Sequence, residues 1–470
     1  MKLIEKLFPF KLHLTILQLE GYNLSRFLSW YFKNLTVRKL STKKGLKITE
    51  KIKLLIVLAC GYWLISVLLI LLLSDYRFGL IFAFLTINQP PLLILPALLF
   101  LKPYEIINRQ MTINKTRKKI VELKKNGLKI IAITGSFGKS STKEILYQFL
   151  KDKYPTLKTP HSYNTLFGIA KVVNLELDSH YKYFICEMGA YKKGEIKELC
   201  QMVLPDLGIL AGITSQHLER FGSLTNTVQA KFELVDYLKS WQKIVFNLDD
   251  ENIQKQLRKR KIKKPIGYSI EKPKTFIKAD NFAFGSFGSR FQITINQRQF
   301  SVKSKLFGFA NVANILAAFC LAVKLERDIK TLISKINQLE VFENRSELKP
   351  LNNSIIVDNT YSSNITGFES IIKTAGKISG SKVLVTPGIV ELGPQEAVHH
   401  FRLGEKSQAV FDHLVLVGKN KRTIELSKGF NQETKTEFID DSYQDYFAKI
   451  KQLNRRFKWI FLENDLTQNY

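Results

Sequence analysis

The sequence predicts an α/β protein: a central phosphate-loop domain with a parallel sheet, a second α/β domain behind it, and a two-helix transmembrane hairpin in front. Three observations carry that prediction. From Leu128 onward short apolar runs alternate with helical stretches, the signature of a parallel α/β sheet. A glycine-rich loop stands between the first of those runs and a helix. Two long apolar runs precede both.

The chain has 470 residues, room for two or three domains with cores of their own. Residues 1–127 read as a membrane region. Ile52–Leu73 carries one charge, Lys53, and Phe78–Leu101 carries none. Each exceeds the roughly 20 residues that span a bilayer as a helix. Only Ser74–Arg77 separates them, which implies a tight antiparallel pair, with Pro90, Pro91 and Pro96 kinking the second helix. Basic residues flank both runs: Arg38, Lys39, Lys43, Lys44, Lys47 and Lys51 before, Lys102, Arg109, Lys115, Arg117, Lys118 and Lys119 after. By the positive-inside rule both flanks face the cytoplasm. The expectation is a multi-pass protein of the inner (cytoplasmic) membrane, with membrane lipids as partners and the other domains in the cytoplasm. Residues 1–36 interleave aromatics and leucine with basic residues, as an interfacial helix does.

The net charge of +30 suits anionic partners, and equally a lysine-rich surface. Cys60, Cys186, Cys200 and Cys320 are too widely spaced for a disulfide framework or a CxxC metal site, so the soluble part reads as cytosolic and reduced.

In the central domain, residues 128–327, LKIIAIT, YKYFICEM, DLGILAGI and KIVFNL read as strands. FQITINQRQFSVKSKL alternates like an antiparallel hairpin, a small sheet at the domain edge, and a helix over Asn311–Lys324 follows. Residues 328–470 form the second α/β domain, with NSIIVD, SKVLVT, HLVLVG and FKWIFLE as strands.

The chemistry concentrates in Thr134–Lys143, TGSFGKSSTK. A strand, then Gly135-x-x-Gly138-Lys139-Ser140, then a helix is the recipe for a phosphate cradle. Glycines let backbone N–H groups approach phosphate oxygens, and the helix N-terminus favours negative charge. Lys139 is placed to reach the β- and γ-phosphates of ATP and Ser140 to ligate Mg²⁺. The usual GxxxxGK[ST] loop would have glycine at Ile133.

Further segments follow in a fixed order: EMGAYKKGEI (Glu187–Ile196), SQHLERFGS (Ser215–Ser223), AKFE (Ala230–Glu233), GFANVANILAA (Gly308–Ala318), VDNTYSSNITGFES (Val357–Ser370) and PGIVELG (Pro387–Gly393). With the loop they resemble the Mur ligase family over about residues 128–420, its MurF-type branch most of all. The resemblance implies a Rossmann-like C-terminal domain and an ATP-dependent, ADP-forming amide ligase working through an acyl phosphate. Its substrates would be a UDP-linked or lipid-linked muramoyl peptide and an amino acid or dipeptide. It implies that Thr134, Gly135, Ser136, Gly138, Lys139, Ser140 and Ser141 cradle the phosphates. Asn311 and Asn314 would contact the adenine side, and Arg345, Asp358 and Tyr361 would close over the nucleotide. Ser140, Glu187, His217 and Lys231 would hold Mg²⁺, two ions in all. Lys139, His217 and Lys231 would be catalytic, Lys231 through a carbamate formed with CO₂. Unmodified, Lys231 would be a phosphate-binding cation or a surface lysine. Thr159, Asn164 and Gly168 fall in the family's substrate loop.

Differences from the family gather on the substrate side. Nothing in the first 127 residues resembles the UDP-sugar-binding domain, Ala310 stands where the family has histidine, and Asn344 replaces the glycine before its arginine. A competing reading is a non-ligating ATP-binding membrane scaffold for wall enzymes. A nucleic-acid-binding ATPase would explain the charge but not the motif order, so no nucleic acid is expected.

Overall fold

The computed structural model describes residues 10–34, 46–73, 76–88, 91–161, 163–214, 218–273, 275–325, 328–361, 363–390, 392–440 and 443–464. The chain divides into two compact units, residues 1–112 and 113–467.

In the first unit, helices Phe10–Leu19 and Leu24–Lys33 precede the apolar helix Glu50–Leu73. Leu14, Ile16, Leu17 and Phe27 are buried in one cluster with Ile52, Leu55 and Ala59 of that helix and with Ile94, Ala97, Leu98 and Leu101. The residues expected to lie on a membrane surface thus pack partly inward. Glu50–Leu73 is long and apolar enough to cross a bilayer, and among the described residues no other helix is. The second apolar run is not one span. It divides into Tyr76–Asn88 and Pro91–Lys125, with Pro91 opening the second helix. A proline lacks the amide N–H a helix interior needs, which suits Pro91 to the first position of a helix rather than to its interior. The 13-residue piece reaches about 20 Å at 1.5 Å per residue, short of the roughly 30 Å hydrocarbon core. The other piece continues into charged sequence ending at Lys124 and Lys125. The expected transmembrane hairpin, and the multi-pass membrane location inferred from it, are therefore incorrect.

The second unit holds two sheets. The first has nine strands in the order β2-β3-β1-β4-β5-β6-β7-β8-β9: Lys129–Thr134 (β1), Thr156–Lys158 (β2), Tyr183–Glu187 (β3), Leu207–Leu210 (β4), Ile244–Asn247 (β5), Gly267–Ser269 (β6), Ile277–Gly285 (β7), Gly288–Ile295 (β8) and Arg298–Ser304 (β9). Strands β1 to β7 pair in parallel, and β7, β8 and β9 are antiparallel. The predicted edge hairpin is thus a continuation of the main sheet. The central strands are buried along their whole length, which is why their sequences are mostly apolar.

The second sheet has six strands in the order β10-β11-β15-β12-β13-β14: Glu347–Leu351 (β10), Ser354–Asn359 (β11), Lys382–Thr386 (β12), His413–Val417 (β13), Thr436–Ile439 (β14) and Trp459–Glu463 (β15). Only β10 runs antiparallel, at the edge, where Pro350 is tolerated. Helix Phe309–Lys324 is apolar on nearly every side and buried accordingly. It packs on helix Lys139–Leu150 and strands β5–β7 from one side and on helix Ile365–Ala375 from the other. It therefore fixes the two sheets relative to each other.

Helices Glu396–Gln408 and Lys421–Phe430 cross with their backbones in contact. A Cβ on Gly429 would lie 1.9 Å from the Phe401 carbonyl oxygen. We expect Gly429→Ala to force these helices apart and to cost about 2 kcal/mol or more, as overpacking does, seen as a lower thermal midpoint. An unchanged midpoint would show that the crossing is not tight.

Candidate active site

Strand β1 ends between β3 and β4, and its chain turns at once into the glycine loop. Gly138 is left-handed at φ +77°, and a Cβ there would sit 2.6 Å from Asn314 Oδ1. At Gly135 a Cβ would meet the Gly212 carbonyl oxygen at 2.9 Å. Ser136 donates its N–H to that same oxygen at 2.7 Å. Its hydroxyl donates to Thr214 O (3.1 Å) and accepts from Thr214 N (3.2 Å). The loop is thus pinned from below and opens toward the helix N-terminus. Lys139 folds back on it, donating to Gly135 O at 2.9 Å and Ser136 O at 3.0 Å. Burial lowers the Lys139 pKa; Glu187 opposes that shift and Arg345 adds to it.

Glu187 ends β3 with 1% of its surface exposed. Burial alone would raise its pKa, yet it lies below the usual carboxylate value because Lys143, then Lys139, and hydrogen bonds from Asn164 and Ser140 favour the charged form. Lys143 Nζ stands 3.3 Å from Oε2 and donates to His161 O at 2.6 Å. Asn164 Nδ2 donates to Oε1 at 3.0 Å. Sequence reasoning passed over Lys143, which reads as an ordinary helix lysine at the end of the motif. Its spacing of one turn from Lys139, on the same helix face, was the available signal.

Lys231 is 3% exposed, so it is not a surface lysine. Its Nζ lies 3.5 Å from Ala190 O and 5.6 Å from the centre of the Phe221 ring. Burial, reinforced by Lys139, lowers its pKa to about 7 against the opposing pull of Glu195, Glu233 and Glu187. A small cavity of about 40 Å³ adjoins it, shared with Gly135, Ser136, Lys139 and Asn164.

The opposite wall comes from the second sheet. A cleft of about 330 Å³ is lined by Ser136–Ser141, Asn164 and Glu187 on one side and by Arg345, Ser346, Asn359 and Tyr361 on the other, with Asn311 and Asn314 between them. The Arg345 guanidinium stacks 3.9 Å from the centre of the Tyr361 ring. Asn311 donates to Phe307 O (3.0 Å) and Arg345 O (3.3 Å), tying that wall to helix Phe309–Lys324. Past Phe137, Ala310 and Gly367 a second hollow of about 470 Å³ opens, with Ile213, Ile270 and Phe309 on its walls.

Not every predicted residue faces this space. Asp358 is turned to Lys349 (2.5 Å) and to the Thr360 hydroxyl (2.7 Å). Thr159 is buried, its hydroxyl accepting from Glu187 N at 3.1 Å, so it buttresses β3. Gly168 lies in the first turn of helix Leu166–Leu175, where a Cβ would press on Thr165 Oγ1 at 3.3 Å. Thr134 donates its hydroxyl to Met188 O at 3.0 Å. His217 lies outside the described residues.

Among the described residues no cluster of three acidic, histidine or cysteine side chains stands ready to hold a metal. The donors that converge on the cleft are the Glu187 carboxylate and the Ser140 hydroxyl. These fit Mg²⁺, which takes hard oxygens, keeps several waters and shares phosphate oxygens rather than demanding a full protein cage.

Replacing Lys143 with methionine leaves Glu187 buried without its nearest cation. We expect Lys143→Met to destabilise the protein by roughly 3 kcal/mol or more, as breaking a buried pair does, and to lower its thermal midpoint. A midpoint equal to the parent's would show that Asn164 and Ser140 suffice.

Comparison with known proteins agrees with this geometry. Residues 133–322 match the Mur ligase middle domain. The UDP-N-acetylmuramoyl-tripeptide–D-alanyl-D-alanine ligase of Buchnera aphidicola is 28% identical over 72% of this chain and 72% of its own. The fold is that of MurF from Acinetobacter baumannii, with a TM-score of 0.67 and 24% identity over 76% of this chain and 77% of that one. It is also that of MurF ligase from Thermotoga maritima in complex with ADP, with a TM-score of 0.65 and 23% identity over 76% and 80%. By sequence and by fold this chain is similar to Mur ligases of the MurF type, and residues 133–322 carry the match to their middle domain.

Proposed function

We propose that the chain is an ATP-dependent, ADP-forming ligase of the Mur type that joins D-alanyl-D-alanine to a UDP-muramoyl tripeptide during peptidoglycan precursor synthesis. One observation carries the reading: Lys139, Ser140 and Glu187 line one side of a single cleft whose other side is Arg345 and Tyr361, with Lys231 one small cavity away. An ATP molecule lies along it with its phosphates on the glycine loop. Arg345 and Tyr361 cover it, and the base lies toward the hollow beyond Phe137, where apolar walls suit a flat ring.

The reaction follows from that placement. The γ-phosphoryl group passes to the substrate carboxylate, giving an acyl phosphate and ADP. The incoming amine attacks the acyl carbon, and the tetrahedral adduct expels inorganic phosphate and leaves an amide. Lys139 meets the charge that develops on the transferring group from within a site shielded from water. Glu187 and Ser140 would hold Mg²⁺, which when bound would neutralise charge on the phosphates. Asn164 and Glu187 face the same side of the cleft, so the carboxylate substrate enters there.

Lys231 takes part as a carbamate. Only a neutral amine attacks CO₂, and a pKa of about 7 leaves a large neutral fraction near neutrality. The new anion lies beside Lys139, and the cavity against its Nζ gives it room. The non-ligating alternative gains nothing from a lysine kept neutral in this way.

Purified full-length protein given ATP, Mg²⁺, UDP-muramoyl tripeptide and D-alanyl-D-alanine should release phosphate only when both acceptor and amine are present. Absence of turnover in such a mixture would overturn the ligase reading, and a fully active Lys139→Ala variant would overturn the loop assignment. For Lys231, a carbamate resonance from labelled bicarbonate should appear in the parent and vanish in Lys231→Met. It should fade as pH falls below about 7, because protonation removes the attacking lone pair. A signal that persists in the variant would assign the carbamate elsewhere.

A further inference from the structure

Three neighbouring turns, at 344–346, after β11 and at Gly388, lie near the carboxyl ends of the paired strands β11, β15 and β12, and the first two line the nucleotide cleft. Glu463, the last residue of β15, is completely buried beneath them. Its Oε1 accepts from the Ser363 hydroxyl at 2.5 Å and its Oε2 from Asn359 Nδ2 at 2.7 Å. Asn359 in turn accepts from the Ser346 hydroxyl at 3.3 Å through its other amide atom. Its amide is thus held from both sides, and flipping it would set its oxygen against the Glu463 carboxylate. The backbone adds two more links. Tyr361 N donates to Asn344 O at 3.1 Å, and Asn464 N donates to Asn359 O at 3.2 Å. The Asn464 side chain reaches the third turn, donating to Gly388 O at 2.7 Å.

Stability alone does not explain this carboxyl. Burial pushes its pKa up to about 7, and among the described residues no cation offsets that cost, since the groups that act on it are neutral. What the carboxyl supplies is direction: it orients Asn359 and Ser363, and three residues held by this network, Ser346, Asn359 and Tyr361, line the cleft, with Arg345 between the bonded Asn344 and Ser346.

We propose that Glu463 is a positioning residue for the nucleotide, holding Asn359 and Ser363, and through Ser346 the Arg345 turn, in the arrangement that closes over bound ATP. The inference rests on the ATP-cleft reading given above. Glu463 touches no substrate, so its loss should weaken nucleotide binding more than it slows chemistry.

The test uses the full chain, with ADP affinity by calorimetry and with KM for ATP and kcat from phosphate release. Glu463→Ala should raise both the ADP Kd and the KM for ATP roughly tenfold while kcat changes about twofold or less. Glu463→Gln should restore binding, because glutamine can accept from Asn359 and donate to the Ser363 oxygen with the same shape. If the alanine variant does not fold, Ser363→Ala removes one of the two tethers and should raise Kd roughly threefold. Parent-like Kd and KM in the folded alanine variant, or in Ser363→Ala where alanine fails to fold, would overturn the proposal. So would a fall in kcat alone, or failure of glutamine to rescue. A parent protein that neither binds ADP nor turns over would instead overturn the ATP-cleft reading, and this proposal with it.

Discussion

A carboxylate with 1% of its surface exposed stays ionised only if its surroundings offset the cost of burial. Glu187 meets the condition with partners drawn from several elements. Lys143 and Ser140 come from the helix after the glycine loop, and Asn164 comes from the segment before the next helix. Each partner also does something else. Lys143 holds His161 O, Asn164 O accepts from Gly189 N, and Ser140 faces the cleft. The constraint therefore propagates: the loop, the strand end and the 159–164 segment can sit only where Glu187 remains compensated. The close contact at Gly189, where a Cβ would lie 2.8 Å from Asn164, shows how little slack remains.

The second constraint is topological. In open parallel sheets the strand ends leave a crevice where the order of the strands reverses. Strand β1 lies between β3 and β4, so successive connections leave it toward opposite sides, and the glycine loop starts in that gap. The six-stranded sheet presents the equivalent ends of β11, β15 and β12. Because helix Phe309–Lys324 packs on the first sheet and on helix Ile365–Ala375 beside the second, these two crevices share one cleft. Asn311 and Asn314 stand on the buried helix itself, and Asn311 joins the two walls through Phe307 O and Arg345 O.

How much of this was legible depends on what each residue's neighbours had to be. Strands buried on both faces, such as β3, β5 and β13, stand out as apolar runs because nothing polar fits there. Strands β2 and β6 have three residues each, and β10 and β14 are half-exposed edges; none carries an apolar run, so their pairing depends on strands far away in sequence. The glycine loop was legible because backbone geometry restricts its composition. Lys143 and Glu463 were not, since a buried charge is recognised only by the partners that surround it. The second apolar run misled for a related reason. Hydropathy counts residues, whereas a span needs continuous helix, and a new helix opens at Pro91 without much loss of hydropathy.

Three lysines lie within this site, and their surroundings sort them into different roles. Lys143 has a carboxylate at 3.3 Å and a carbonyl at 2.6 Å, the environment of a fixed cation. Lys139 has two carbonyls of its own loop, which it can exchange for phosphate oxygens when a nucleotide arrives. Lys231 has one long contact to a carbonyl and an aromatic ring, and the nearby charge that lowers its pKa most is Lys139. Two cations so placed disfavour each other, which adds to burial in favouring the neutral amine of Lys231. Carbamate formation would reverse the sign of that interaction. The new anion would favour the charged form of Lys139 against its own burial, at the position where charge on a phosphoryl group must be met. The lysine that is weakest as a cation is thus the one whose modification would strengthen its neighbour.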